Sequence, residues 1–256
     1  MMGSIRKQAG WLGIALSLIF CSAFADTQTI DVNPKDPYYI NPKDPYEKFN
    51  RVMFTFNDTV DKCILKPVAT LYDKIVPKPL KKGVSNFFNN IDTIPTVAND
   101  VLQGNIYQAT NDAWRLALNS TVGIVGFFDV ATPIGLEPNT EDLGLTFARW
   151  GYINSNYLVI PFLGPTTVRD AIAFPINYYA FTIYPYINPP RDRYRIYILG
   201  VVDRRADLLH FQSVFEQVAI DKYVFMRDAY MQRRNYLIQR NKELGDPYLN
   251  NEENKK

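Results

Sequence analysis

One histidine, two cysteines and a surplus of carboxylates are what this sequence offers for chemistry. His210 is the only histidine, so zinc sites built on paired histidines are ruled out, and a Ser-His-Asp hydrolase depends on this one residue. A nucleophile elbow of the form G-x-S-x-G is absent. The nearest fragment, Gly83-Val84-Ser85-Asn86-Phe87, lacks the second glycine. Cys63 lies among apolar residues at helical spacing, where a buried small hydrophobe is expected and a thiolate is disfavoured. There is no phosphate-cradling G-x-x-x-x-G-K-[ST] loop and no G-x-G-x-x-G turn. Carboxylates are plentiful, but none is singled out as an acid/base pair. The expectation is a protein with no catalytic residue, no metal and no cofactor.

The elements around these residues begin with an address. Arg6 and Lys7 precede an apolar run from Trp11 to Phe20, and Ala23-Phe24-Ala25 supplies a cleavage site before Asp26. This is the pattern of a secretory signal peptide over residues 1–25. Cys21 raises lipoprotein processing as an alternative. That pattern needs a small residue before the cysteine, and Phe20 fits it poorly, so cleavage after Ala25 is expected. Residues 1–25 carry two basic and no acidic residues, which leaves 26 of each sign in the remainder. A neutral chain of this kind does not suit a nucleic-acid partner. Only Cys63 survives processing, so stability must come from packing.

Residues 26–45 read as an extended linker punctuated by Pro34, Pro37, Pro42 and Pro45. From 46 to 243 a helical domain is expected, and 244–256 reads as a disordered polar tail. Phe49, Val52, Met53, Phe56, Val60, Cys63 and Ile64 recur at steps of three and four, on one face of a helix that Pro67 ends or kinks. Leu80, Val84, Phe87, Phe88 and Ile91 form a second stripe. Pro95 is read as the first residue of a short helix that Gly104 stops, and another helix runs from about Tyr107 to Asn119. Residues 135–167 are loops with short elements, and a helix starts near Thr166 or Thr167. The run 196–202 fits a strand or a helix equally, and helices are expected near 203–219 and 221–243. No apolar run is long enough to span a bilayer after processing.

Four features admit two readings each. The Phe49–Ile64 stripe suits a membrane interface, but a helix facing a protein core is the commoner source of such a pattern. The aromatic cluster Tyr178, Tyr179, Phe181, Tyr184 and Tyr186 suits the headgroup level of a bilayer or an aromatic core with wet hydroxyls. Arg227, Arg233, Arg234, Arg240 and Lys242 suit lipid phosphates, while a solvated helix face is the commoner explanation. For Gly123-Ile124-Val125-Gly126-Phe127-Phe128-Asp129, a dip into lipid and close packing of a helix end stand level.

The order of short signatures resembles the MlaA/VacJ family of outer-membrane proteins. They start at Asp44-Pro45-Tyr46-Glu47-Lys48-Phe49-Asn50-Arg51 and continue through Gly83-Val84-Ser85-Asn86-Phe87, Leu102-Gln103-Gly104 and Gly126-Phe127-Phe128-Asp129. Pro161-Phe162-Leu163-Gly164-Pro165 with Arg169-Asp170, Arg205-Ala206-Asp207-Leu208-Leu209 and Arg227-Asp228-Ala229-Tyr230 complete the series. The resemblance covers about 44–241. It implies a mostly α fold: a ring-like monotopic arrangement of in-plane amphipathic helices around a central amphipathic channel. It also implies removal of misplaced phospholipids from the outer leaflet. The implied partners are phospholipids, the inner leaflet of the outer membrane, a trimeric porin and a soluble periplasmic lipid carrier. Candidate lipid-path residues are Phe49, Asn50, Met53, Phe56, Asn57, Gly123, Gly126, Phe127, Phe128, Asp129, Pro161, Phe162, Gly164, Arg169 and Asp170. The rival functions are a phospholipase or acyltransferase tested through His210, and a structural envelope protein.

Overall fold

The computed structural model describes residues 44–244. The signal peptide, most of the linker and the polar tail lie outside the described residues. Asp44 already belongs to the fold: it is buried, accepts hydrogen bonds from Asn50 and Tyr223, and faces Arg227 at 3.5 Å.

Eight α-helices dominate the described residues: α1 Glu47–Val60, α2 Lys66–Ile75, α3 Lys78–Leu102, α4 Ile106–Thr121, α5 Leu143–Arg149, α6 Val168–Phe181, α7 Pro190–Val218 and α8 Lys222–Leu244. The two strands, β1 Tyr157–Ile160 and β2 Gly164–Thr167, form an antiparallel hairpin with Tyr157 opposite Thr167 and Ile160 opposite Gly164. The 196–202 run is helical, inside α7. Thr167 caps α6 by accepting from the Asp170 N–H at 3.2 Å.

Two prolines behave differently from the sequence expectation. Pro67 does not end the first helix. A single π-turn over Asp61–Leu65 precedes it, and the wider turn accommodates the ring where an α-turn carbonyl would clash. Pro95 lies inside the 25-residue α3 and does not start a helix.

The packed elements form a closed circuit. α1 lies on β1, β1 pairs with β2, and β2 touches α8. From there α8 packs on α5, α5 on α3, α3 on α7 and α7 on α2, which returns to α1 through the π-turn. Polar side chains bind the circuit together. Asp203 on α7 accepts from Tyr72 Oη (2.8 Å) on α2 and Ser85 Oγ (2.7 Å) on α3.

Large apolar side chains face outward to an unusual extent, while three small apolar clusters, around Leu145, Phe88 and Val159, stay inside. Asn50 is the buried residue of α1, while Phe49, Val52 and Phe56 are exposed. Cys63 and Ile64 are exposed too, followed by Val68, Leu71 and Ile75 on α2. Most of the stripe therefore faces outward, with Met53 turned toward the cluster beside β1, and Cys63 is not the buried hydrophobe the sequence suggested. α4 exposes Ile106, Tyr107 and Trp114, and α6 exposes Ile172, Phe174 and Ile176. Inside lie Asn99, Asp100, Asp112, Thr146, Arg169 and Asp203. A water-soluble monomer rarely shows so extended an apolar exterior. Each large side chain moved from water into an apolar phase gains roughly 1.5–3 kcal/mol. Among the described residues no helix is long and apolar enough to cross a membrane.

Candidate functional site

The hairpin is stitched to α1 by two asparagines. Asn50 and Asn57 stand seven residues apart, two helical turns, and so share one face. Asn50 completes the open edge of β1: Oδ1 accepts from the Val159 N–H at 2.9 Å and Nδ2 donates to the Tyr157 carbonyl at 3.1 Å. Asn57 Nδ2 donates to the Ile160 carbonyl at 2.9 Å, and its Oδ1 accepts from the Phe162 N–H at 2.7 Å. Phe162 has φ +64° and Gly164 φ +85°, so the turn reverses through the left-handed region.

A cavity lies on each side of β2, and Pro165 borders both. The larger holds about 360 Å³ and is walled by Phe54, Val159, Leu208, Phe211 and Met226. Asn57, Asp58, Asp61, Lys62, Arg205 and Lys222 supply its polar margin. Arg205 grips Asp61 with two hydrogen bonds, 2.7 and 2.9 Å. The smaller cavity, about 230 Å³, combines Ile160, Leu163, Ala173 and Phe174 with Asp142, Asp170, Tyr230 and Arg234. Apolar walls with a few placed polar groups are the usual make-up of a small-molecule site.

Charge in the smaller cavity is set chiefly by the Arg234 guanidinium, with Arg169 also on Asp170 at 3.0 Å. Arg234 bridges Asp142 (2.6 and 2.9 Å) and Asp170 (2.8 Å), joining α8 to α5 and α6. Burial pushes the Asp142 carboxyl up. The Arg234 pair and the Leu145 N–H outweigh that and hold it below the usual carboxylate range. Burial, with Asp170 beside it, pushes the Tyr230 hydroxyl above its ordinary range. Gly144 is required here, because a Cβ would collide with the Asp170 carboxylate.

A third cavity of about 300 Å³ is polar and lies between α3 and α4, among Asn86, Asn89, Asn90, Arg115, Asn119 and Asp129. The 123–129 segment adjoins it. Ile124, Val125 and Gly126 take φ of +53°, +57° and +87° in succession. Asn119 braces the turn, accepting from the Val130 and Ala131 N–H groups at 2.9 and 3.0 Å. Gly123 and Gly126 are buried, while Ile124, Val125 and Phe128 point outward. The segment is thus both closely packed and apolar at its surface. Phe127 lies over Gly83, where any Cβ would strike its ring.

The structure gathers the candidate residues into two groups. Asn57 and Gly164 line the larger cavity and Asp170 the smaller. Phe56 and Phe162 meet edge-on at 5.1 Å beside the turn that holds Pro161. Met53 packs on the Tyr157–Val159–Tyr223 cluster, Phe49 is exposed, and Arg169 is buried against the Tyr152 and Ile153 carbonyls (3.1 and 3.0 Å). Gly123, Gly126, Phe127, Phe128 and Asp129 form the other group at the polar cavity. Sequence reading missed Phe54, Leu208, Phe211 and Met226 as cavity walls, and it missed Arg234 as the bridge. Arg227, Arg234 and Arg240 all have ion-pair partners, and only Arg233 and Lys242 of that series are exposed. The His210 side chain lies outside the described residues.

Residues 42–237 match the family model described as MlaA lipoprotein. The chain belongs to the MlaA family. Among MlaA-like relatives, the uncharacterised protein RP093 of Rickettsia prowazekii (strain Madrid E) is 35% identical over 245 residues, 88% of this chain and 94% of its own length. The intermembrane phospholipid transport system lipoprotein MlaA of Escherichia coli (strain K12) is 31% identical over 195 residues, 75% of this chain and 76% of its own. A solved structure presented as the structural basis for maintenance of bacterial outer membrane lipid asymmetry superposes with a TM-score of 0.66 at 29% identity, covering 76% of this chain and 98% of that one. The mostly helical, ring-like MlaA fold expected from the resemblance holds, and the circuit of packed elements is its physical form.

Proposed function

We propose that this protein is the outer-membrane component of a phospholipid transport system. It removes misplaced phospholipids from the outer leaflet and passes them to a soluble periplasmic carrier, which maintains lipid asymmetry without a covalent step. The observation that carries this reading is the apolar exterior of the fold. Large apolar side chains face outward from the helices, and cavities of mixed character lie between elements of the circuit. A phospholipid has apolar tails and an anionic head, so it needs both kinds of wall along one path. The exterior suits the inner leaflet, with residues 46–243 as the lipid-handling domain on the periplasmic face. Export uses the cleaved signal peptide, and a trimeric porin is the expected membrane partner.

Lipid extraction from the purified protein tests the reading directly, with bound phospholipid of unaltered composition as the expected result. Release of lysophospholipid or fatty acid on incubation would favour an enzyme instead. A deletion strain should accumulate phospholipid in its outer leaflet; unchanged surface asymmetry would overturn the proposal.

A further inference from the structure

The three cavities differ in charge balance. In the polar cavity Asp92 and Asp129 are met by Arg204 and Arg115, and in the smaller hairpin cavity Asp142 and Asp170 are met by Arg234 and Arg169, so neither has a base to spare. The larger hairpin cavity sets Lys62, Arg205 and Lys222 against Asp58 and Asp61, and there a base is in excess. Pairing identifies which one. Lys62 is bound to Asp58 and Arg205 to Asp61. Lys222 has no ion-pair partner among the described residues. Its neighbour Asp221 is engaged elsewhere, by Arg51 at 2.9 Å and by the Tyr223 and Val224 N–H groups at 2.9 and 3.2 Å. Lys222 is half-buried and borders a cavity whose walls are Phe54, Leu208, Phe211 and Met226.

We infer that Lys222 binds the phosphate ester of a lipid whose acyl chain occupies the larger cavity. This assignment rests on the phospholipid reading above and adds the group that recognises the head. Lys222 stands at the margin of an apolar cavity with no counterion among the described residues, and an anionic oxygen supplies the missing charge. The larger cavity is also the one whose walls suit a hydrocarbon chain beside a net positive margin. A lysine makes a point contact that a lipid can leave, as transport requires, whereas the bidentate grip of Arg205 is already taken by Asp61.

The test uses full-length protein purified in mild detergent and titrated with fluorescent phosphatidylglycerol or with diacylglycerol of the same acyl chains. Wild-type protein and Lys222→Arg should prefer the phosphate-bearing lipid by about tenfold, the effect of one charge-assisted hydrogen bond. Lys222→Gln should reduce the preference to about twofold, with the helical circular dichroism unchanged. A full preference in Lys222→Gln, or equal binding of both lipids by wild type, overturns the inference and leaves the transport reading standing. Failure of wild type to bind either lipid overturns that reading itself. Free glycerol 3-phosphate is the remaining competitor: displacement at the concentration at which unlabelled phosphatidylglycerol acts would mean a soluble phosphate ester and also overturns the inference.

Discussion

The side chain of Asn57 holds Phe162 in the left-handed region of backbone space. Its Oδ1 accepts from the Phe162 N–H at 2.7 Å while its Nδ2 donates to the Ile160 carbonyl at 2.9 Å, so both flanks of the hairpin turn are tied to α1. Phe162 has φ +64° and is 76% exposed, so neither backbone preference nor burial of its own ring keeps it there. The turn borders the larger cavity, and its position sets the edge-on contact of Phe162 with Phe56.

Asn57→Ala should therefore loosen the turn selectively. The loss of two hydrogen bonds corresponds to about 1–3 kcal/mol of stability. Amide exchange at Phe162 should accelerate well beyond that at Val159, whose N–H remains held by the Asn50 side chain. Asn57→Asp keeps the acceptor for Phe162 and should show a smaller change. Equal exchange at Phe162 in all three proteins would show that Asn57 does not hold the turn.

The outward stripe on α1 and α2 gives a second expectation. Val52, Leu71 and Ile75 are 61, 58 and 68% exposed, so replacing them with aspartate removes little internal packing. Stability in detergent should stay within about 0.5 kcal/mol for each. Membrane association should fall, because a charge in the apolar layer costs about 2.5–3.5 kcal/mol at its centre and less toward the surface. Flotation of the double variant Leu71→Asp/Ile75→Asp with vesicles checks this, and undiminished flotation would place the membrane contact elsewhere.

How much of this was legible in the sequence depends on whether the determining contact is local. Helix positions were readable from spacing, and Thr167 announced the start of α6. The direction a stripe faces was not: Phe49 to Ile64 has the same period whether it meets a core or a bilayer. What separates the two is Asn50 on the opposite face, whose partners Tyr157 and Val159 lie 107 and 109 residues away. The arginines of α8 were obscured in the same manner. Nothing near Arg234 in sequence identifies it as buried, since Asp142 is 92 residues distant. The ordered family signatures reach past this limit: they single out 49–57, 123–129 and 161–170, of which the fold joins the first and last and sets the second apart. They did not supply Phe211 or Met226 as walls.

Arg234 and Arg233 make a matched pair for testing that point. Arg234→Met removes the cation shared by Asp142 and Asp170, and since Asp142 is partly exposed and Asp170 keeps Arg169, the change should cost about 2–3 kcal/mol, below that of a fully buried pair. Arg233 is exposed, and Arg233→Met should cost less than about 0.5 kcal/mol. Thermal melting of the two variants in the same detergent gives the comparison. Similar melting temperatures would mean that water reaches the Asp142–Asp170 pair and replaces the guanidinium.

Asp100 and Asp112 predict a pH dependence on the far side of α3. Both are buried. Burial, with Asp112 and Glu141 close by and only Arg240 in opposition, pushes the Asp100 carboxyl up to about 8. An acid whose folded value lies above its unfolded one binds more protons when folded, so its contribution favours the fold at low pH. That contribution shrinks as pH rises from about 4 toward 8, and the wild-type protein should melt at a lower temperature at pH 8 than at pH 5. Asp100→Asn carries a neutral group at every pH and can still donate to Asp112. It should flatten the slope, and its advantage over wild type should be larger at pH 8 than at pH 5. An unchanged slope in Asp100→Asn would show that Asp100 does not carry the proton; Glu141, whose carboxyl burial also pushes up, is then tested by Glu141→Gln.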